Sequence, residues 1–387
     1  MVSFVTRNQG AANSYMENNI KVSVLAKIVY RLFDLAKKER NFFIIVASIG
    51  ILCFFVYPYP QLAMWVGFML AGYSAIANDS IQTIGTFIAS NSHRKWYHLW
   101  IFMGLIWVAT VTYSYLMYDG DVTYQRLATK GFQNSPEFFS FGQVASPLIL
   151  LILTRLRMPV STSILLLSVF STKASSIGSI LEKSFTGYFI AFGTAFIVWF
   201  ITTKALNKNI ENKPPAKWWV PLQWITSGAL WSVWIMQDAA NIAVYLPRSL
   251  NVWQFIFFSS YIFFGLGLLF YLKGDKIQGI VNEKSKVTDV RSATIIDFVY
   301  ACILYYLKVV STIPISTTWV FIGLLGGREI AYQIRTQIGD GKKAGLKYAA
   351  RLIGKDALYA LIGLIVSLIL AVSINEKMRE QFLKLFE

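Results

Sequence analysis

The side chains able to do chemistry come as two matched pairs of short stretches. Asn78-Asp79, with Gln82 one helical turn on, is answered by Gln237-Asp238 with Asn241; Ser161-Thr162-Ser163, led by Pro159, is answered by Ser316-Thr317-Thr318, led by Pro314. The order is the same both times and the spacing nearly so: 82 residues separate Asp79 from Ser161, and 78 separate Asp238 from Ser316. Carboxylate and amide oxygens are hard ligands suited to a cation such as Na+, and proton uptake is the competing use of the same carboxylates. A proline followed by hydroxyl residues suits a helix N-terminus, where the hydroxyls cap and the free backbone N–H groups favour an anion. Asn78, Asp79, Gln82, Gln237, Asp238 and Asn241 are therefore the candidate cation ligands. Ser161, Thr162, Ser163, Ser316, Thr317 and Thr318 are the candidate oxyanion ligands, with Arg248 and Lys308 as further candidates for anion contact.

The elements that must position these groups are read from charge-free runs, each set against the roughly 20 residues a helix needs to cross hydrocarbon. Asp79 is the one charged side chain between Asn41 and Ser92, and Asp238 the one between Lys217 and Arg248. A carboxylate in such a run is expensive in lipid and faces the protein interior or a wet cavity. The run from Asn41 to Asn78 is long enough for two spans turning at Pro58 and Pro60. Further spans run from His98 to Tyr118, Phe138 to Thr154, Ser184 to Thr203, Trp218 to Gln237, Asn251 to Leu272, Phe298 to Thr312 and Ala357 to Asn375. Two runs, Met158 to Thr172 and Pro314 to Gly327, are too short to cross and read as re-entrant or broken helices, with backbone carbonyls exposed at the breaks. Paired interrupted segments at matching places in two halves point to a transporter's binding site.

The chain thus divides into a tail with an amphipathic interfacial helix over 1–40, a first transmembrane repeat over 41–206, a linker over 207–217, a second repeat over 218–375 and a tail over 376–387. The expected fold is an all-α polytopic membrane protein with a two-fold internal repeat, expected to be inverted, of paired re-entrant hairpins and broken helices. The count of crossings per half leaves the direction of the repeat to the linker's path.

Composition fits this class. Of 387 residues, 55% are hydrophobic and 14% charged, well outside the soluble norm. Lys and Arg number 36 against 20 Asp and Glu; the excess lies between apolar runs, where it sets topology and meets anionic lipid, so no nucleic-acid partner is expected. Cys53 and Cys302 sit inside apolar runs, which argues against a disulfide framework or thiolate metal site. No nucleophile and base are paired, so no enzyme is expected, and no cofactor beyond the coupling ion.

With these motifs in hand, the chain resembles a known family. Ala77 to Thr86, A-N-D-S-I-Q-T-I-G-T, is similar to the first signature of the inorganic phosphate transporter (PiT) family, A-N-D-x-A-N-x-x-G-T. Gln237-Asp-Ala-Ala-Asn241 looks like its second copy, and Pro159-Val-Ser-Thr-Ser163 and Pro314-Ile-Ser-Thr-Thr318 look like the paired P-[VI]-S-T-T elements. The resemblance implies an inverted-repeat fold, usually dimeric, in the plasma membrane. It implies that the Asp and amide pairs bind Na+ or take up H+ and that the hydroxyl hairpins bind phosphate, or sulfate in some members. This chain departs from the pattern at Gln82 and Gln237, at Ile164 and Trp319 where a His commonly follows, and at Val244-Tyr245 in place of Gly-Thr. The expectation is sodium-coupled symport of inorganic phosphate; transport of sulfate or another small oxyanion, an anion channel and a non-transporting anion sensor are the alternatives.

Overall fold

The structure, a computed structural model, describes residues 39–128, 131–155, 160–212, 214–272, 289–336 and 340–383. The interfacial helix expected before residue 39, Pro159 and most of the loop after residue 272 lie outside the described residues. These form α-helices and one 3-10 turn, with no strand among them. The chain divides at Phe55–Val56 into two units. The first holds nearly all of α1 (Arg40–Val56), whose only charge is Arg40 and which is apolar on every face, as a helix surrounded by hydrocarbon should be.

The second unit runs through α2 (Pro60–Ser90), α3 (Trp96–Met117), the 3-10 turn Arg126–Ala128, α4 (Phe141–Arg155), α5 (Thr162–Phe170), α6 (Ala174–Asn212) and α7 (Trp219–Ala243). It continues with α8 (Val252–Tyr271), α9 (Val290–Val310), α10 (Thr317–Thr336), α11 (Asp340–Ile374) and α12 (Glu376–Leu383). Local chemistry sets the helix starts. Pro60 opens α2 at the position where a missing N–H costs nothing. Asn251 and Gln254 form a reciprocal capping box on α8, at 2.9 and 3.0 Å. Asp289 caps α9 by accepting from the Arg291 N–H at 2.9 Å.

Among the described residues five helices are long and apolar enough to cross a membrane: α3, α6 over Ala174–Thr203, α8, α9 and α11 over Ala344–Ile374. Their outward faces are apolar too. Leu358, Leu361, Ile365 and Ile369 form one exposed stripe along α11, and Phe264 and Leu268 stand exposed on α8. The protein is an all-helical, multi-pass membrane protein.

Several elements differ from the sequence expectation. The helices α2 and α7 run unbroken through Asp79 and Asp238, so no backbone carbonyl is released at the carboxylates themselves. The interruptions fall between α4 and α5 and between α9 and α10. The helix α5 is short, nine residues. By contrast α10 is not a short segment: it runs 20 residues, past Gly327 through Arg328 and Glu329 to Thr336. Likewise α6 begins ten residues before Ser184 and continues to Asn212, taking in most of the stretch read as a linker, while α9 begins at Val290 and encloses Asp297. Ending a span at its first charge is the common cause. A helix tolerates a charge wherever a neighbouring helix supplies hydrogen bonds or the side chain reaches out of the apolar layer.

The longest packed interface joins α6 and α10, and two glycines make it possible. A Cβ on Gly323 would lie 2.3 Å from the Tyr188 carbonyl oxygen, and one on Gly327 would lie 2.0 Å from that of Phe192. Glycines four residues apart thus let the α10 backbone rest on the α6 backbone, the usual route to tight helix association where no hydrophobic force drives it.

Candidate functional site

The site forms where α2 and α7 meet the N-termini of α5 and α10. Asp79 and Asp238 are each 1% exposed, and they are close enough to interact. Asn78, Gln237 and Asn241 are buried beside them, as are all six hydroxyl residues of the two hairpin motifs.

The hydrogen bonds come in matched pairs. The Ser163 hydroxyl, on α5, donates to the Ile315 carbonyl at 2.8 Å, just before α10. In return the Thr318 hydroxyl, on α10, donates to the Val160 carbonyl at 3.3 Å, just before α5. Each hairpin's third hydroxyl therefore reaches the carbonyl that precedes the other hairpin's serine. The amides obey the same exchange: Asn241 Nδ2 donates to Ser163 Oγ at 3.0 Å, and Gln82 Nε2 donates to Thr318 Oγ1 at 3.3 Å. Each second hydroxyl stays within its own half. Thr317 donates to Asp238 Oδ2 at 2.5 Å, and Thr162 lies close to Asp79 without reaching a hydrogen bond.

Ser161 and Ser316 do other work. Their hydroxyls accept from the Ile164 and Trp319 N–H groups at 3.1 and 3.2 Å, capping α5 and α10. They fix the two helix starts, whose remaining first-turn N–H groups have no partner within the helix. Of the six expected oxyanion contacts, Ser163 and Thr318 bond across between the hairpins, Thr162 and Thr317 lie at the carboxylates, and Ser161 and Ser316 are committed to caps.

The carboxylates are unequally served. Asp238 accepts from Thr317 and from Asn241 Nδ2 at 2.8 Å; the Ser163 hydroxyl, whose one proton goes to the Ile315 carbonyl, lies 3.3 Å away, and the Arg126 guanidinium lies within electrostatic range. Among the described residues Asp79 accepts a geometrically sound bond only from its neighbour, Asn78 Nδ2, at 2.9 Å, with the Thr162 hydroxyl close by; the same amide reaches the Val160 carbonyl at 3.4 Å. Three amide oxygens of the candidate cation set, Gln82 Oε1, Gln237 Oε1 and Asn241 Oδ1, are buried without a hydrogen-bond partner among the described residues. Their amide nitrogens are already engaged, Gln237 Nε2 with the Leu304 carbonyl at 3.1 Å, which fixes the orientation of each amide. An unpaired buried acceptor costs about 1–3 kcal/mol. Three of them around two carboxylates make a site rich in acceptors and short of donors, the balance a hard cation corrects.

Three neighbours went unread in the sequence. Asp297 on α9 is fully buried and accepts from Thr86 at 2.5 Å and from Ser227, so the Thr of the first Gly-Thr pair is a carboxylate partner. Its place one residue outside the run starting at Phe298 hid it. Arg126, 1% exposed, donates through Nη1 to the carbonyls of Ser311 and Ile313 at 2.6 and 3.2 Å, holding the chain that leads into α10. Nothing in its mixed-charge loop marks it. Tyr300, one turn beyond Asp297, donates to the Thr317 carbonyl at 3.0 Å. Arg248 is not at the site: its guanidinium is engaged by the carbonyls of Phe132, Asn134, Val244 and Leu246 at 2.8–3.3 Å. Tyr245 packs its ring against Phe139 and Phe170 and donates to the Gln143 carbonyl at 2.9 Å, so the second Gly-Thr position is a packing position. No cluster of three His, Cys, Asp or Glu occurs among the described residues.

Fold and site together define a multi-pass membrane protein with an enclosed polar centre built from two carboxylates, buried amides and two helix N-termini. No family model matches the chain, and no curated protein matches it. Among solved structures, a sodium-dependent phosphate transporter overlies 80% of this chain and 98% of its own, at a TM-score of 0.48 and 15% identity. That likeness is too remote to carry weight for either fold or function.

Proposed function

We propose that the chain is a secondary active transporter that moves an oxyanion, inorganic phosphate, together with Na+ through the centre formed by α2, α5, α7 and α10. One observation carries the reading: two buried carboxylates and three unpaired amide oxygens adjoin two helix N-termini that bind one another reciprocally. Cation and anion sites are then contiguous. Buried carboxylates repel an incoming anion unless cations arrive with it, so the loaded centre is stable only with both present. Thr162, Ser163, Thr317 and Thr318 offer hydroxyls and first-turn N–H groups to the anion. Asp79 and Asp238 with Gln82, Gln237 and Asn241 offer oxygens to the cation, and Asn78 holds Asp79.

The exchange of bonds between the hairpins supports an inverted repeat, in which the halves rock about a fixed site. Uptake of labelled phosphate into proteoliposomes, with and without an inward Na+ gradient, tests the function. Gradient-dependent uptake lost in Asp79→Asn and Asp238→Asn is expected. Uptake driven by a proton gradient, or competed by sulfate and not by phosphate, would reassign ion or substrate, and no uptake of any oxyanion would overturn transport.

A further inference from the structure

The carboxylates of the centre are not the only ones buried within the helices. Asp297, inside α9, is 0% exposed, and its two oxygens accept from one hydroxyl each: Thr86 of α2 donates to Oδ1 at 2.5 Å, and Ser227 of α7 donates to Oδ2. Among the described residues those two bonds are all that reach it; it has no ion pair and no amide or backbone N–H donor. On the helices packed against α9, none of Asp79 of α2, Asp238 of α7, Glu182 and Lys183 of α6, or Arg328 and Glu329 of α10 bonds to it. On α9 itself Arg291 pairs with Asp289 at 2.8 Å, and Lys308 stands over the Tyr124 ring at 5.3 Å. The surroundings also lead outward. Asp79, Gln82, Thr86 and Ser90 recur on α2 at steps of three and four, so they share one face. Ser90 Oγ donates to the Thr86 carbonyl at 2.8 Å and accepts from Gln223 Nε2, on the turn of α7 before Ser227, at 2.7 Å. Gln223 Oε1 accepts from Asn91 Nδ2 at 2.8 Å, and Asn91 Oδ1 accepts at 3.1 Å from Nε of Arg94, which is exposed. A file of polar groups thus runs along the seam between α2 and α7, from Asp297 to the surface at the end of α2.

An ionised carboxylate served only by two neutral hydroxyls in a protein interior is costly enough that the group takes up a neutralising ion instead. A proton fits this place better than a metal ion. A hard cation gathers about six oxygens. Here four meet, two from Asp297 and one each from Thr86 and Ser227, and none of them is among the buried atoms left without a partner. With a proton on Asp297 every bond closes. Ser227 donates to one carboxyl oxygen, the acid O–H donates to Thr86, and Thr86 can turn its own proton to the carbonyl of the preceding turn, as hydroxyl residues within helices do. We propose that Asp297 is a proton-binding site, filled from water through the polar file at the end of α2, and that this proton joins α9 to α2 and α7. Its loss leaves a bare carboxylate that water must serve, so the seam takes in water along the file when the proton leaves. The site goes beyond the transporter reading and stands without it.

Infrared spectroscopy of the purified full-length protein in nanodiscs reads the site directly, because a neutral carboxylic acid has a C=O stretch that a carboxylate lacks. At neutral pH in choline buffer, one such band is expected to be lost in Asp297→Asn and kept in Asp79→Asn and in Asp238→Asn. The band should also shift in D2O, since the proton exchanges through the file. Thr86→Val and Ser227→Ala each remove one of the two hydroxyls and should move the band, whereas Ser163→Ala should not. Those shifts assign the band even where Asp297→Asn does not fold. A spectrum in which no neutral-acid band responds to Asp297, Thr86 or Ser227 overturns the proposal. So does a band that never shifts in D2O, and so does one that Na+ abolishes at constant pH, which would make the place a Na+ site. Absence of Na+-dependent phosphate uptake with this band intact counts against the centre alone, so the two failures are distinguishable.

Discussion

The unequal service of the two carboxylates makes Asp79→Asn and Asp238→Asn differ in sign. Asp238 receives two donors, at 2.5 and 2.8 Å, with the Ser163 hydroxyl 3.3 Å away. An asparagine keeps one acceptor oxygen and turns an amide toward the others. About one charge-assisted bond is lost and its donor is left unpaired, a cost of roughly 2–5 kcal/mol before the relief of carboxylate repulsion that both variants share. Asp79 receives one bond, from Asn78. Replacing it removes a poorly paired buried carboxylate next to a second one and leaves the other intact. In Na+-free buffer Asp79→Asn is therefore neutral or stabilising, within about 1 kcal/mol, because the lost bond and the relieved repulsion offset one another. The assay is thermal unfolding of the purified protein followed by tryptophan fluorescence, with Na+ exchanged for choline. In a chain of this length each kcal/mol moves Tm by about 1–2 °C, which separates the variants clearly. Wild type should gain stability with Na+, by about 2.7 kcal/mol at a hundredfold excess over Kd, and both variants should lose most of that gain. If Asp79→Asn destabilises the Na+-free protein as much as Asp238→Asn does, the asymmetry reasoned from the donors is wrong.

Ser163→Ala removes the shorter of the two bonds between hairpins and orphans the buried Ile315 carbonyl, so it should cost about 1–3 kcal/mol. Thr318→Val breaks bonds of 3.3 Å and leaves Val160 its contact with Asn78, so it should cost less, and urea titration of the pair ranks them. Gly327→Ala sets a Cβ against the Phe192 carbonyl and should destabilise by about 1–3 kcal/mol, whereas Gly193→Ala, with open space around its Cβ, should stabilise by about 0.5–1 kcal/mol in the same melts. At the α9 cap, burial works to raise the Asp289 carboxyl, but bonds from Arg291 and the first-turn N–H groups outweigh it and hold it below the usual carboxylate range. Its contribution, under about 1 kcal/mol once solvent screening of the partly exposed Asp289 carboxylate is allowed for, is present above the unfolded pKa and lost as pH falls through the lower folded one. The stability gap between wild type and Asp289→Asn should accordingly be present at neutral pH and close only at strongly acidic pH, read as the difference in Tm.

The chemistry was legible because it is local and repeated. An Asp beside an amide in an otherwise charge-free run, and a proline-led run of hydroxyls, each depend on neighbours in sequence, and the structure brings all four stretches to one place. Pro58 and Pro60 likewise marked the start of α2, since proline at a helix start depends on the backbone alone. The ends of α6, α9 and α10 were not legible, because whether Lys183, Asp297 or Arg328 can sit inside a helix depends on what packs against it. Asp297 is tolerated for the hydroxyls of Thr86 and Ser227, which lie 211 and 70 residues away in sequence. The role of Arg126 was hidden for the same reason: its acceptors belong to the approach to α10, more than 180 residues on.

The Gly323 and Gly327 contact bears on how force would travel through the molecule. The helix α10 rests backbone to backbone on α6 at Gly323 and Gly327, which makes it the longer and better backed of the two arms, whereas α5 is a nine-residue helix set off by non-helical residues at both ends. A displacement applied where the tips touch is then taken up by the compliant side. The two arms match in chemistry but not in length or backing, and if the proposed centre opens, the expected first movement is α5 pivoting away from α10.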